Sequence, residues 1–351
     1  MDKFRELEII CESENTLEAL LKKRGFSRRL IVAMKRTEGG ITRNGELCRT
    51  IDKVFAGDRV LLKIPMGSGN DIVPNRELTV PTVYEDSDLI IYNKPAGMAV
   101  HRSHGHYDDT LENVFAAQLD MPFRAVNRLD KDTSGLCIAA KNKLGADMIV
   151  TEKVYYAVCE GIVSEPQRID LPIGRADGSV IMREVRPDGK NAVTVIKPLK
   201  YMNNCTLLEI RLETGRTHQI RVHLSHISHP LAGDDMYGGS RKLIARQALH
   251  CGKMSFIHPV SGENVTVSAD MPEDMTEIIR KEIQGVLGIS LFFVQPPQVR
   301  ELLQVLQVLR SHRLRLQARR KKLSKRHSLQ QKAKKAPKSL QAVRMHQSLK
   351  P

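Results

Sequence analysis

No stretch of the sequence approaches the roughly 18 uninterrupted apolar residues that a membrane-spanning helix requires, although 41% of its 351 residues are hydrophobic and supply ample core. The opening MDKFRELEII mixes acids and bases where a signal peptide would be apolar, so a soluble, cytoplasmic protein is expected. The six cysteines, Cys11, Cys48, Cys137, Cys159, Cys205 and Cys251, include no CxxC pair, and reduced, structural thiols are expected rather than a zinc or redox motif. His101, His104 and His106 in HRSHGH find no Cys or Glu nearby to complete a ligand set, so no metal is expected. Gly-rich stretches such as MGSGN lack the Lys and the strand-to-helix setting of a phosphate loop. No internal repeat is present.

Acid is scarce in one place above all. From Gln295 to Pro351 there are sixteen Lys and Arg against the single acid Glu301, which accounts for the whole formal charge of +15. Residues 1–294 hold 39 bases and 39 acids and are neutral. Within them Asn15 to Ile64 carries twelve bases and five acids, a local surplus of +7. Two basic regions flanking a neutral centre suit phosphate-binding appendages around a separate chemical site. The tail reads equally well as a solvated surface.

The length suggests about two domains. Thr16 to Lys23 reads as a short amphipathic helix with Leu17, Leu20 and Leu21 on one side, and a second follows through SRRLIVAMKR. Asn44-Gly45 and Ala56-Gly57-Asp58 are turn signals, each leading into a strand. This pattern resembles the small αL RNA-binding domain first recognised in a small-subunit ribosomal protein, and the resemblance implies RNA contacts from Lys22, Lys23, Arg28, Arg29, Lys35 and Arg36. The expected boundaries are 12–65 for this domain, 66–76 for a linker, 77–290 for a catalytic domain and 291–351 for a basic extension. In the extension Val299 to Leu309 could form a helix with Leu302, Leu303, Val305, Leu306 and Leu309 inward, and disorder is expected beyond Ser311.

In the central domain, strands are expected at Thr79 to Tyr84, Leu89 to Asn93, Ala192 to Ile196 and Cys205 to Leu212. Thr110 can cap a helix through Phe115, and Thr217 opens another with Ile220, Leu224 and Ile227 on one face. Irregular alternation with hairpins argues for an α+β fold rather than a doubly wound sheet. The most informative segment is AVNRLDKDTSGLCIAA, Ala125 to Ala140, in which an apolar lead-in ends in a loop bearing Arg128, Asp130, Asp132, Thr133, Ser134 and Gly135 before a buried strand. On composition alone this is an ordinary polar turn.

Longer agreement changes that reading. RLDKDTSGL matches RLDxxTSGL, IIYNKPAGMAVH matches NKPxGxxVH, and KVYYAVCEG matches KxYxAxxxG. TGRTHQIRVHLSHISHPLAGDDMYGG fits TGRTHQIRxHL and HPLxGDxxYG, and ALHCGKMSFIHPVSG fits LHAxxLxFxHPxxG. In these blocks, over roughly residues 12 to 275, the chain resembles the RluA family of RNA pseudouridine synthases. The resemblance implies a central, mainly antiparallel mixed sheet flanked by helices, an isomerase acting on RNA, and a catalytic carboxylate at Asp130. It also implies large-subunit ribosomal RNA as the target, since members with an αL appendage mostly act there.

Isomerising uridine breaks the N1 to C1′ bond, turns the uracil in place and joins C5 to C1′ before C5 loses its proton. Nothing is oxidised and no group is consumed, so no cofactor is expected. A carboxylate serves either as nucleophile at C1′ or as base in a glycal route. An ionised acid in a closed pocket needs a cation, and the resemblance assigns that part to Arg221 of HQIR. It places Tyr155 of KxYxA against the target base, with removal of the C5 proton as its implied role. Tyr156, on the opposite face by period two, packs. Arg128 is the expected RNA contact as the base is extruded, while Asn127 stands where most members have His and leaves local hydrogen bonding open. A monomer bound to RNA and to no membrane is expected. Two further readings are a non-catalytic RNA-binding or ribosome-assembly factor, which would have no use for the full trio, and a hydrolase pairing Asp130 with Asp132.

Overall fold

The computed structural model describes residues 4–287 except 67–71, 120 and 203. The expected helix Val299 to Leu309, the basic tail and most of the MGSGN linker lie outside the described residues.

The N-terminal elements are β1 (Phe4–Ile10), β2 (Asn15–Thr16), α1 (Leu17–Lys23), α2 (Arg28–Lys35), β3 (Ile41–Arg43), β4 (Glu46–Leu47), β5 (Lys53–Val54) and β6 (Arg59–Pro65). Thr16 and Ser27 begin the helices because their hydroxyls accept the amides of Ala19 and Leu30. Asn44 and Gly45, both at positive φ, turn β3 into β4. Alternation along β6 buries Val60, Leu62 and Ile64 against Leu17, Leu21, Leu30 and Met34. The sheet runs β1-β6-β3-β4, all antiparallel, and β2 pairs with β5. Strand β1 is not evident in the sequence because Ile9 is its one buried side chain, so its alternation carries little apolar signal.

The larger body contains β7 (Thr82–Glu85), β8 (Leu89–Lys94), α3 (Leu111–Leu119), β9 (Ser134–Ala140), α4 (Lys143–Met148), β10 (Thr151–Glu160) and β11 (Gln167–Asp170). It continues with β12 (Ile173–Arg175), β13 (Arg183–Val185), β14 (Val193–Tyr201), β15 (Cys205–Leu212), α5 (Gln219–His226), β16 (Leu249–Ile257), β17 (Asn264–Ser268) and α6 (Glu273–Leu287). One large sheet has the order β11-β14-β15-β10-β16-β9-β8-β7, with β17 beside β16. Among the described strands, only the β9 and β16 pair is parallel, so the fold is α+β around a mixed, mainly antiparallel sheet. Every residue of β9 is buried, which places this strand at the centre of the core.

The two bodies share packing: Leu144 and Met148 of α4 join the N-terminal core, and Ser27 Oγ donates to Asp147 at 2.5 Å. Among the described helices, none is long and apolar enough to cross a membrane. One boundary differs from the expectation in a way that bears on the site. Helix α5 starts at Gln219, not Thr217, because His218 adopts a left-handed backbone that cannot continue a helix.

Candidate active site

The RLD loop is held to the sheet before its acid is reached. Val126 donates to the Ile138 carbonyl, and then the Asn127 side chain takes over as a surrogate strand neighbour. Its Oδ1 accepts the Ile138 amide at 2.8 Å and its Nδ2 donates to the Leu136 carbonyl at 3.2 Å. The residue that departs from the family pattern thus satisfies two groups of β9. Gly135 follows from close approach: at φ 111° a Cβ there would collide with the Cys251 carbonyl oxygen of β16.

The turn itself closes with Thr133 donating to the Asp130 carbonyl at 3.1 Å. Its next two carbonyls face cations. Lys94 Nζ, fully buried, donates to Lys131 O at 3.0 Å, Met98 O at 2.7 Å and Pro95 O at 2.8 Å, so all three ammonium protons are used. Arg246 Nη1 donates to Asp132 O at 3.1 Å while its other nitrogens chelate Asp274. Burial pulls the Lys94 ammonium down to about 8.

Helix α5 brings Arg221 to the same place. Its Nε and Nη2 donate to the two oxygens of Asp234 at 2.7 and 2.8 Å, and its Nη1 donates to Asp130 Oδ2 at 3.2 Å. The guanidinium carbon lies 4.9 Å from the centre of the Tyr237 ring. Burial opposes the arginine's charge, but Asp234 and Asp130 outweigh it and push its pKa further up. One buried cation is therefore shared by two carboxylates, with Asp234 only 1% exposed on its side chain and Asp130 28%.

Tyr155 comes from β10. Strand β16 carries an extra residue, Gly252, where the pairing shifts between Val154 and Tyr155, and Tyr155 lies opposite Cys251. Burial pushes the Tyr155 hydroxyl well above its ordinary range, with Cys251 and the nearby Asp130 charge adding to the effect. Tyr156 packs over the bulge, where a Cβ on Gly252 would meet its ring at 2.5 Å.

Asp130, Arg221 and Tyr155 are thus drawn together from a loop, a helix and a strand. Arg128 is exposed on the same loop, next to buried Asn127 and Leu129. Lys22, Lys23, Arg28, Arg29, Lys35 and Arg36 are exposed on or beside α1 and α2, and Lys22 pairs with Glu18 at 2.6 Å. Sequence reasoning passed over Lys94, His218, Asp234, Tyr237 and Arg246, although four of the five sit inside the quoted family blocks. Their signal was position within a block; their partners are distant in sequence.

Among the described residues, Asp86, Asp88 and His258 converge in the manner of metal ligands. His258 Nδ1 accepts the amides of Val260 at 3.3 Å and Ser261 at 3.1 Å, so its proton resides on Nε2. That N–H faces Asp86 Oδ2 at 3.0 Å, a close contact without the alignment of a hydrogen bond. Asp88 is taken by Arg5 and Asn142. The group pairs internally and offers no lone pair at the imidazole. His101 of HRSHGH lies 3.8 Å from Glu112, and His106 lies 2.6 Å from Asp109.

A family model described as RNA pseudouridylate synthase matches residues 88–226, a span that includes Asp130, Tyr155 and Arg221. The chain is similar to the uncharacterized RNA pseudouridine synthase YlyB of Bacillus subtilis, at 39% identity over 259 residues, 69% of this chain and 85% of that protein. It is also similar to ribosomal large subunit pseudouridine synthase D of Neisseria meningitidis, at 37% identity over 69% of this chain and 71% of that one. Among solved structures, human RNA pseudouridylate synthase domain containing 1 aligns over 57% of this chain and 86% of its own at 25% identity, with a TM-score of 0.48.

Proposed function

Because this chain belongs to the RluA family of RNA pseudouridine synthases, and is therefore an isomerase, we propose that it converts particular uridines of large-subunit ribosomal RNA to pseudouridine through the carboxylate of Asp130. The observation that carries the assignment of Asp130 is its pairing with Arg221 at 3.2 Å, beside buried Tyr155. Asp130 keeps partial exposure while its cation is buried, as a group must that meets a ribose from solvent.

In this reading the uridine leaves its stack, at a cost on the order of a few kcal/mol, and exposed Arg128 contacts the RNA as it does so. Asp130 acts at the sugar, as nucleophile at C1′ or as base. Arg221 orients it through a charge-assisted hydrogen bond. Tyr155, kept a neutral phenol by burial, lies against the uracil; its oxygen accepts the C5 proton as its own O–H proton passes to water, so the phenol is neutral before and after. None of these steps consumes a cofactor.

The cationic faces of α1 and α2 extend the RNA footprint as an αL domain, and the basic residues after Ser311 add sequence-independent phosphate contacts. The chain works as a monomer. The name of the Neisseria relative supports ribosomal RNA as the substrate. Two measurements test the reading. Large-subunit RNA tritiated at uracil C5 should release tritium to water with this protein, whereas free uracil would indicate a hydrolase and no release a binding factor. Mapping pseudouridines in cells with and without the gene should show sites lost from that RNA; losses confined to transfer RNA would overturn the substrate.

A further inference from the structure

His218 has a backbone that its residue type disfavours. Its φ of 56° and ψ of 20° are left-handed, and it makes no side-chain cap on α5. Glycine would occupy this position with less strain, so neither the turn nor the helix start explains an imidazole here. Strained backbone of this kind concentrates at functional sites.

The side chain, 11% exposed, is hydrogen-bonded through one nitrogen and aims the other at the RLD loop. Nδ1 lies 2.8 Å from the Tyr237 hydroxyl, which also accepts the Arg183 amide at 3.0 Å. Burial pushes the tyrosine's pKa up, so the hydroxyl keeps its single proton. Donating that proton to Nδ1 satisfies the hydroxyl, the Arg183 amide and Nδ1, and it leaves the imidazole proton on Nε2. Nε2 lies 3.8 Å from Asp130 Oδ2, the same oxygen that Arg221 Nη1 reaches. Burial lowers the His218 pKa, with Arg221 and Arg183 reinforcing it and Asp130 and Asp234 opposing.

We propose that His218 is a positioning residue for Asp130: its Nε2–H, in the tautomer set by Tyr237, closes on Oδ2 when RNA binds and clamps the carboxylate between itself and Arg221. Hydrogen bonds of reacting groups are often long before the substrate is present, and a gap of this size fits that pattern. The inference rests on the reading of Asp130 as the reacting carboxylate.

The backbone strain supplies a test that a purely structural residue would not pass. Tritium release from C5-tritiated ribosomal RNA, taken from cells lacking the enzyme, is measured for wild type, His218→Gly, His218→Gln and Asp130→Asn, together with thermal midpoints. His218→Gly relieves the backbone strain but loses the Tyr237 partner, so it should melt close to the wild-type midpoint while its kcat falls by about tenfold or more, the worth of a hydrogen bond to a charged group. Its KM should stay within about twofold. His218→Gln, which restores an N–H, should recover part of kcat. A kcat for His218→Gly within about threefold of wild type overturns the proposal, as does a loss of rate that follows a lowered midpoint and is not restored by Gln. An active Asp130→Asn would instead sink the reading of Asp130; an inactive Asp130→Asn with active His218 variants removes His218 alone.

Discussion

Asp234 holds Arg221 by two nitrogens, at 2.7 and 2.8 Å, and leaves Nη1 as the nitrogen that meets Asp130. The pair is almost wholly buried, so Asp234 sets the position and direction of the one donor aimed at the RLD loop. Arg221 serves two acids in unequal ways: the buried one fixes it, and the more exposed one uses it.

Removing the fixed partner should be severe. Asp234→Ala leaves the buried guanidinium with only the part-exposed Asp130 as counter-charge and should destabilise the fold by about 3 kcal/mol in urea unfolding. Misplacing Nη1 by about 1 Å should lower the rate about a hundredfold under conditions where the variant remains folded. Unchanged stability would show that Arg221 is held by other contacts.

Lys94 makes a second prediction. Lys94→Met strips three carbonyls of their donor, at about 1–3 kcal/mol for each left unsatisfied, and should lower both the unfolding midpoint and the rate. In the wild type the ammonium, pulled down by burial to about 8, becomes an amine with two N–H groups for three carbonyls. The rate should fall as pH rises through about 8. Stability should move the other way: the folded pKa lies below the unfolded value of about 10.4, so between the two the unfolded chain binds the proton and stability rises with pH. A rate that is flat from neutral pH through that range would free the loop from Lys94.

Asn127 is graded more gently. Asn127→Ala leaves the Ile138 amide and the Leu136 carbonyl without their partner and should cost about 1–3 kcal/mol in denaturant unfolding. Asn127→His, the residue usual in the family, can restore one of the two bonds and should keep more of the rate than Ala. Equal rates for the two variants would contradict a role for this side chain in holding the loop.

Acid should weaken the fold through buried imidazoles. His223 and His250 are buried, and burial lowers both pKa values. In each case Nδ1 accepts a hydroxyl and Nε2 donates to a carbonyl, of Leu171 and Ala269 respectively, so the neutral ring meets its partners. Folded values below the unfolded value of about 6.5 mean that the stabilisation is complete above it and lost as pH falls, because the unfolded state takes up the protons first. Chemical denaturation midpoints should decline from pH 7.5 towards 5.5 by about the same path in several buffers, and a flat profile would refute the assignment.

Much of this site is legible in the amino-acid sequence, for an identifiable reason. Asp130, Tyr155 and Arg221 sit in contiguous blocks whose residue order is specific, and β15 spans the Cys205 to Leu212 expected from its apolar pattern. The supporting cations are not legible there, because Lys94 meets the Lys131 carbonyl 37 residues away and Arg246 meets the Asp132 carbonyl 114 residues away. Spacing along a chain carries no information about such partners. The start of α5 is misplaced by the sequence pattern because a left-handed histidine has no propensity signal; Thr217 is the better cap by residue type. Asn127 looks like a loss relative to the family, and only the backbone of β9 shows which two groups it satisfies.

The most direct test removes one charge and nothing else. Asp130→Asn keeps shape and hydrogen-bonding reach but presents no anion to Arg221 or to the ribose. With ribosomal RNA tritiated at uracil C5 and enzyme in excess, a single turnover should release tritium in the wild type and show none above background in the variant, which should still bind the RNA. Release by Asp130→Asn at the wild-type rate would show that this carboxylate does not perform the chemistry.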